Sequence, residues 1–93
     1  MARTAFHVTV TGQVQGVGFR AFVRHCAVEL GLDGWVRNRR DGTVEIVAIG
    51  DPEAVDRLVQ QSTDGPTHAK VEEITVRGTD DDGTTGFHER ATL

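Results

Sequence analysis

The hydrophobic period of this chain changes abruptly between Phe6 and Leu30, and that change restricts the fold more than any other feature. Phe6, Val8 and Val10 alternate with His7, Thr9 and Thr11 and run to Gly12, the period of a half-buried strand. Phe19, Phe22, Val23, Cys26, Ala27 and Leu30 then recur at spacings of three and four, with Gly31 placed as a C-cap, the stripe of an amphipathic helix. Between the two lies Gly12-Gln13-Val14-Gln15-Gly16-Val17-Gly18-Phe19-Arg20, with three glycines over seven positions. A glycine-punctuated turn leaves its backbone N–H groups without Cβ obstruction, and the first amides of the following helix have no intrahelical partner, so both sets can point at an oxyanion. Arg20 would add a full charge and a planar fork of donors.

The remaining elements follow from the same signals. Gly34 to Asn38 and Thr43 to Ile49 flank Arg39-Arg40-Asp41-Gly42, whose Asp-Gly pair predicts a hairpin. Asp51 precedes Pro52 as an N-cap, and Val55, Leu58 and Val59 form a second helical stripe reaching about Ser62. Val71 to Arg77 reads as a fourth strand, Thr79 to Gly83 as a solvated acidic loop, and Gly86 to Arg90 as a frayed edge strand. The order is β-α-β-β-α-β with a short edge strand, which predicts an α+β, ferredoxin-like sandwich: an antiparallel sheet with two helices on one face. The first crossover makes the first two strands parallel, so the Gln15 to Arg20 loop and Asn38 emerge at one edge of the sheet.

Ninety-three residues with 38% hydrophobic content suit one domain, residues 1–93. No apolar run approaches a membrane span, and Met1-Ala2-Arg3-Thr4-Ala5 leads into strand sequence rather than a signal-peptide core, so the chain reads as cytoplasmic. The net charge of −4 is uneven: residues 1–40 hold six Lys/Arg against two acids, and residues 41–93 hold four against twelve. A local positive site on an acidic chain suits a small anion better than a nucleic-acid backbone. His7, His25, His68 and His88 lack ligand-like spacing, so neither a metal site nor a cofactor is expected. Cys26 is expected to be a buried apolar residue, Trp35 to pack in the core or sheet, and Arg24, Arg37, Arg39, Arg40 and Asp80 to Asp82 to be solvated.

Arg20 with the amides of Gln15, Gly16, Val17, Gly18, Phe19 and Arg20 would hold a phosphoryl group, while the Asn38 amide, able both to donate and to accept, would hold a water in line with the leaving group. An acyl phosphate requires no acid for its leaving group, because a carboxylate departs unprotonated.

Gly12 to Arg20, followed by Gly34-Trp35-Val36-Arg37-Asn38-Arg39-Arg40-Asp41-Gly42-Thr43-Val44, resembles the paired signatures of the acylphosphatase family. The resemblance implies that Arg20 and the loop amides bind the substrate phosphate and that Asn38 positions the attacking water. It further implies a cytosolic monomer that hydrolyses small-molecule acyl phosphates without a metal, with inorganic phosphate as product and inhibitor and neither nucleic acid nor membrane as partner. The implied sheet order is 4-1-3-2 with a short extra edge strand. Glu89 stands where the family commonly has an apolar residue, which puts the fifth strand in question, and Ala91-Thr92-Leu93 runs past the family's usual end.

Two other readings stay open from the residues. The loop could recognise a phosphorylated metabolite or phosphoprotein without turnover; the same motifs also occur in an N-terminal domain of hydrogenase-maturation proteins, where the implied ligand is carbamoyl phosphate. The β-α-β-β-α-β order is also shared with RNA recognition motifs, although the third strand, Thr43 to Ile49, contains no stacking aromatic.

Overall fold

A computed structural model of the chain describes residues 3–93. Met1 and Ala2, part of the stretch interpreted above as lacking a signal-peptide core, lie outside the described residues. The elements are β1 (Thr4–Gln13), α1 (Phe19–Glu29), β2 (Asp33–Asn38), β3 (Val44–Gly50), α2 (Pro52–Asp64), β4 (Lys70–Thr79) and β5 (Phe87–Arg90). They form one five-stranded sheet of order β4-β1-β3-β2-β5.

Both helices pack on the same face of that sheet. Val8 and Val10 of β1, Val36 of β2, and Val44, Ile46 and Ala48 of β3 meet Phe19, Val23, Cys26 and Ala27 of α1 and Val55 and Leu58 of α2 in one apolar cluster. These are the alternate strand positions and the three-and-four-spaced helix positions, so the two periods converge on one layer. Asp51 caps α2 by accepting from the Glu53 amide at 3.0 Å, with Pro52 in the first turn. Cys26 is buried, and burial, reinforced by the nearby Glu29 charge, pushes its thiol pKa up, away from nucleophilic chemistry.

The β5 strand, in question from Glu89, is formed. It runs parallel to β2, with Gly34 opposite Phe87 and Val36 opposite Glu89, so the sheet is mixed rather than wholly antiparallel. Phe87 supplies the reason, since its ring is buried in the core cluster and anchors the strand. Beyond β5, Leu93 donates its amide to the Asn38 carbonyl at 3.2 Å and accepts from the Arg40 amide at 3.1 Å, so Leu93 holds the end of β2.

The second face of the sheet carries a smaller apolar cluster, Ala5, Trp35, Val47 and Ile49. Trp35 packs there as expected, under the guanidinium groups of Arg37 and Arg90 at 4.6 and 4.9 Å from its ring centroid. The acidic loop is not simply solvated, as expected from its composition. Asp82 accepts from the Trp35 indole N–H at 3.0 Å, and both carboxylate oxygens of Asp81 accept from Arg3, at 2.8 and 2.9 Å. The Thr84 hydroxyl and amide, followed by the Trp35 indole, hold the Asp82 carboxyl down to a pKa of about 2.

Candidate active site

Beside the Thr11/Gly12 step the β1–β4 ladder shifts register, and past Gln13 the chain leaves the sheet. Val14 turns inward and is fully buried. Gly16 and Gly18 have φ of 73° and 78°, while no non-glycine residue among the described residues has positive φ, so the sign alternates across Gly16-Val17-Gly18. Such alternation turns successive N–H groups toward one concavity. A Cβ at either glycine would meet nothing within 4 Å. Glycine is therefore needed here for its backbone conformation, and the space over the loop is open.

Gly18 also begins α1, which has no side-chain cap and no acidic residue in its first turn. Its first amides are thus left for another partner, at the positive end of the helix dipole. Phe19, 1% exposed, fixes the helix start to the core, a burial that contributes roughly 1.5–3 kcal/mol. Arg20, partly buried, projects from that first turn; its Nη1 reaches the Arg90 carbonyl at 3.4 Å. Arg20 takes part in none of the ion pairs among the described residues. A cation left unpaired at a helix N-terminus is unfavourably placed until an anion joins it.

Asn38 ends β2 and faces the same space. Its Oδ1 is buried and has no hydrogen-bond partner, a cost of roughly 1–3 kcal/mol for a polar atom withdrawn from water. Gly16, Gly18, Phe19, Arg20 and Asn38 together line a concave pocket of about 120 Å³, joined by Val14, Ala21 and Glu89. Gln15 and Val17, the other two loop residues expected at the site, do not line it. The Gln15 side chain instead donates to the carbonyl oxygens of Arg39 at 2.7 Å and Thr43 at 2.8 Å, tying the loop to the β2–β3 turn.

That turn is built from its own residues. The Arg39 amide donates to the Thr43 carbonyl at 2.8 Å, and the Thr43 amide and hydroxyl donate to Asp41 Oδ1 at 3.0 and 2.7 Å, holding the Asp41 carboxyl below the usual range. Beneath it, on the second sheet face, Glu45 accepts from Arg37 Nε at 2.6 Å and Arg39 Nη1 at 3.2 Å and pairs with His7 Nε2 at 2.6 Å. Arg37 and Arg39 are therefore partners of a buried carboxylate rather than solvated cations. Burial acts to raise the Glu45 pKa, but hydrogen bonds from His7, Arg37 and Arg39 outweigh it and hold the carboxyl at about 2. Among the described residues, no group of three or more His, Cys, Asp or Glu side chains is arranged to hold a metal ion.

Sequence reasoning missed the pocket role of Glu89, which it treated only as a difficulty for β5, and the bridging role of the Gln15 side chain. The parallel β5 pairing puts Glu89 on the Phe87 side of the sheet, facing α1; its distance along the chain from the motifs hid the connection.

The acylphosphatase family model matches residues 6–89. An acylphosphatase from Roseiflexus sp. is 51% identical over 77 residues, covering 83% of this chain and 81% of that protein. The crystal structure of acylphosphatase from Bacillus subtilis superposes with a TM-score of 0.90 at 39% identity, covering 94% of this chain and 98% of that one. The structure of HypF from Thermococcus kodakarensis gives a TM-score of 0.86 at 32% identity, with 97% of this chain matched to 12% of that larger protein.

Proposed function

The chain belongs to the acylphosphatase family, whose members are hydrolases acting on acid anhydrides, and from that premise we propose how its own residues carry the reaction. The phosphoryl group of an acyl phosphate sits in the 120 Å³ pocket, against the amides of the Gly16 to Arg20 segment, with the Arg20 fork spanning two of its oxygens. The pocket is smaller than the ~300–1,000 Å³ sites that enclose whole drug-sized ligands. It suits a phosphoryl group and one water, leaving the acyl portion at the mouth.

Asn38, which lines the pocket, holds the water through its carboxamide, a group able both to accept and to donate. Its fixed position at the end of β2 aims the water at phosphorus, opposite the acyl oxygen. The new bond joins water oxygen to phosphorus, the bond from phosphorus to the bridging oxygen breaks, and the carboxylate departs with the electron pair. Both protons of the water stay with the orthophosphate, which forms as H2PO4−. Arg20 and the helix-end amides neutralise the charge that a metal ion would otherwise meet, so the proposed reaction is metal-independent. The cradle is assembled within one chain, and we take the active species to be a monomer working on a small molecule.

The observation that carries this reading is the convergence on one pocket of an arginine outside every ion pair among the described residues, an uncapped helix start and Asn38, whose Oδ1 has no hydrogen-bond partner among those residues. Its test is phosphate release from benzoyl phosphate and acetyl phosphate in the presence of a chelator, with uncatalysed hydrolysis subtracted. Release above that background is expected, with competitive inhibition by inorganic phosphate. Phosphate binding without release would make the chain a binding module, and activity restored only by added metal would overturn the metal-independent mechanism.

A further inference from the structure

Glu89 is the one acidic residue lining the pocket that holds Arg20 and Asn38. It is solvent-exposed, and neither it nor Arg20 takes part in an ion pair among the described residues. Its carboxylate therefore belongs to the pocket lining without a direct cationic partner within 4 Å among the described residues. Backbone pairing keeps it there, because Glu89 lies opposite Val36 in β2, two residues after the buried Phe87.

We propose that Glu89 selects substrates by the charge of their acyl group, disfavouring acyl phosphates with a second anionic group close to the carbonyl and favouring neutral or cationic ones. This rests on the reading that the pocket takes the phosphoryl group. A pocket of 120 Å³ leaves the acyl portion outside, where the exposed Glu89 is the anionic side chain of the lining available to meet it. All substrates share the repulsion between Glu89 and the phosphoryl group, so it cancels in any ratio between them. A carboxylate on the acyl group adds a second repulsion, worth roughly three- to thirtyfold in kcat/KM at separations of about 7 Å and an effective dielectric between those of a protein surface and water.

The test compares benzoyl phosphate with its meta-carboxy and meta-ammoniomethyl derivatives, using the wild-type chain, Glu89→Gln, Glu89→Lys and Glu53→Gln, at low and high salt. Glu53→Gln removes the same charge from α2, outside this pocket, and controls for net charge. The wild type should prefer the ammonium over the carboxylate substrate by roughly tenfold or more, an advantage reduced by salt. Glu89→Gln should bring the ratio near one, Glu89→Lys should invert it, and Glu53→Gln should leave it as in the wild type. Ratios unmoved by both Glu89 substitutions overturn the proposal. An equal fall in kcat on all three substrates also overturns it, by assigning Glu89 to the water instead. A wild-type chain that hydrolyses none of the three overturns the underlying catalytic reading and this inference with it, whereas full activity with an unaltered ratio defeats the inference alone.

Discussion

The side-chain nitrogen of Gln15 donates to the carbonyl oxygen of Thr43 at 2.8 Å. Because the same nitrogen reaches the Arg39 carbonyl at 2.7 Å, one side chain fastens the glycine loop to the turn that follows Asn38. The two halves of the pocket are thereby held in register by a residue that does not line it. Gln15→Ala should remove two hydrogen bonds, although the Thr43 carbonyl keeps the Arg39 amide and the Arg39 carbonyl keeps the Gly42 amide, at a cost of about 0.5–1.5 kcal/mol per bond. It should also lower kcat/KM by roughly tenfold or more as Arg20 and Asn38 lose their relative placement. Gln15→Glu, which cannot donate, should do the same. Thermal melting and steady-state kinetics on both variants check this; normal values for either variant would show that the bridge does not hold the pocket.

Arg20 has no carboxylate partner to lose among the described residues, so its removal should harm function far more than folding. Arg20→Ala is expected to melt within a few degrees of the wild type while kcat/KM falls by several orders of magnitude, on the order of 10³. Arg20→Lys should recover little, since an ammonium cannot span two phosphoryl oxygens as a guanidinium does. A variant keeping a third of wild-type kcat/KM would remove Arg20 from the anion site.

The elements with a long period were legible in the sequence, and so was the pairing of Arg20 with Asn38, because chain order alone forces β1 and β2 to end at one edge. Element ends shifted by a residue or two, as with β4, which begins at Lys70 and ends at Thr79. The rest depends on contacts between distant positions that no local pattern encodes. The short strand β5 is held by Phe87 and by pairing with residues about fifty positions away. Arg3 meets Asp81, and Trp35 meets Asp82, at separations of 78 and 47 residues, so an acidic run with the composition of a free loop is anchored at two of its residues. Glu45 reads as an ordinary outward strand residue until the three elements around it supply His7, Arg37 and Arg39.

That cluster makes stability depend on pH in a stated direction. The folded-state pKa of Glu45 is lowered from 4.5 to about 2, so its contribution is complete above the unfolded value and is lost as pH falls through the interval between them. The loss is on the order of 3 kcal/mol. Other carboxylates, Asp82 among them, titrate in the same interval, so the measurement is a difference: urea unfolding of wild type and Glu45→Gln between pH 5 and about 2. The wild-type advantage should shrink on acidification. A constant difference would mean that the charge of Glu45 is not what holds β1, β2 and the turn together.

Asn38 allows a structural and a catalytic role to be separated on one preparation. Its backbone is secured independently of its side chain, by pairing with Val44 and by the Leu93 amide on its carbonyl. Its Oδ1, meanwhile, is buried with no partner. Asn38→Ala removes an orphaned polar atom and breaks none of these backbone bonds, so the melting temperature should fall little or even rise. If the Asn38 carboxamide holds the attacking water, kcat should drop by roughly two to four orders of magnitude, while the inhibition constant for inorganic phosphate stays near the wild-type value, because Arg20 and the loop amides are intact. The three quantities discriminate the roles: unchanged kcat with a lowered melting temperature would leave Asn38 as a strand end only. Phosphate binding weakened as much as kcat would instead place its amide among the anion's ligands.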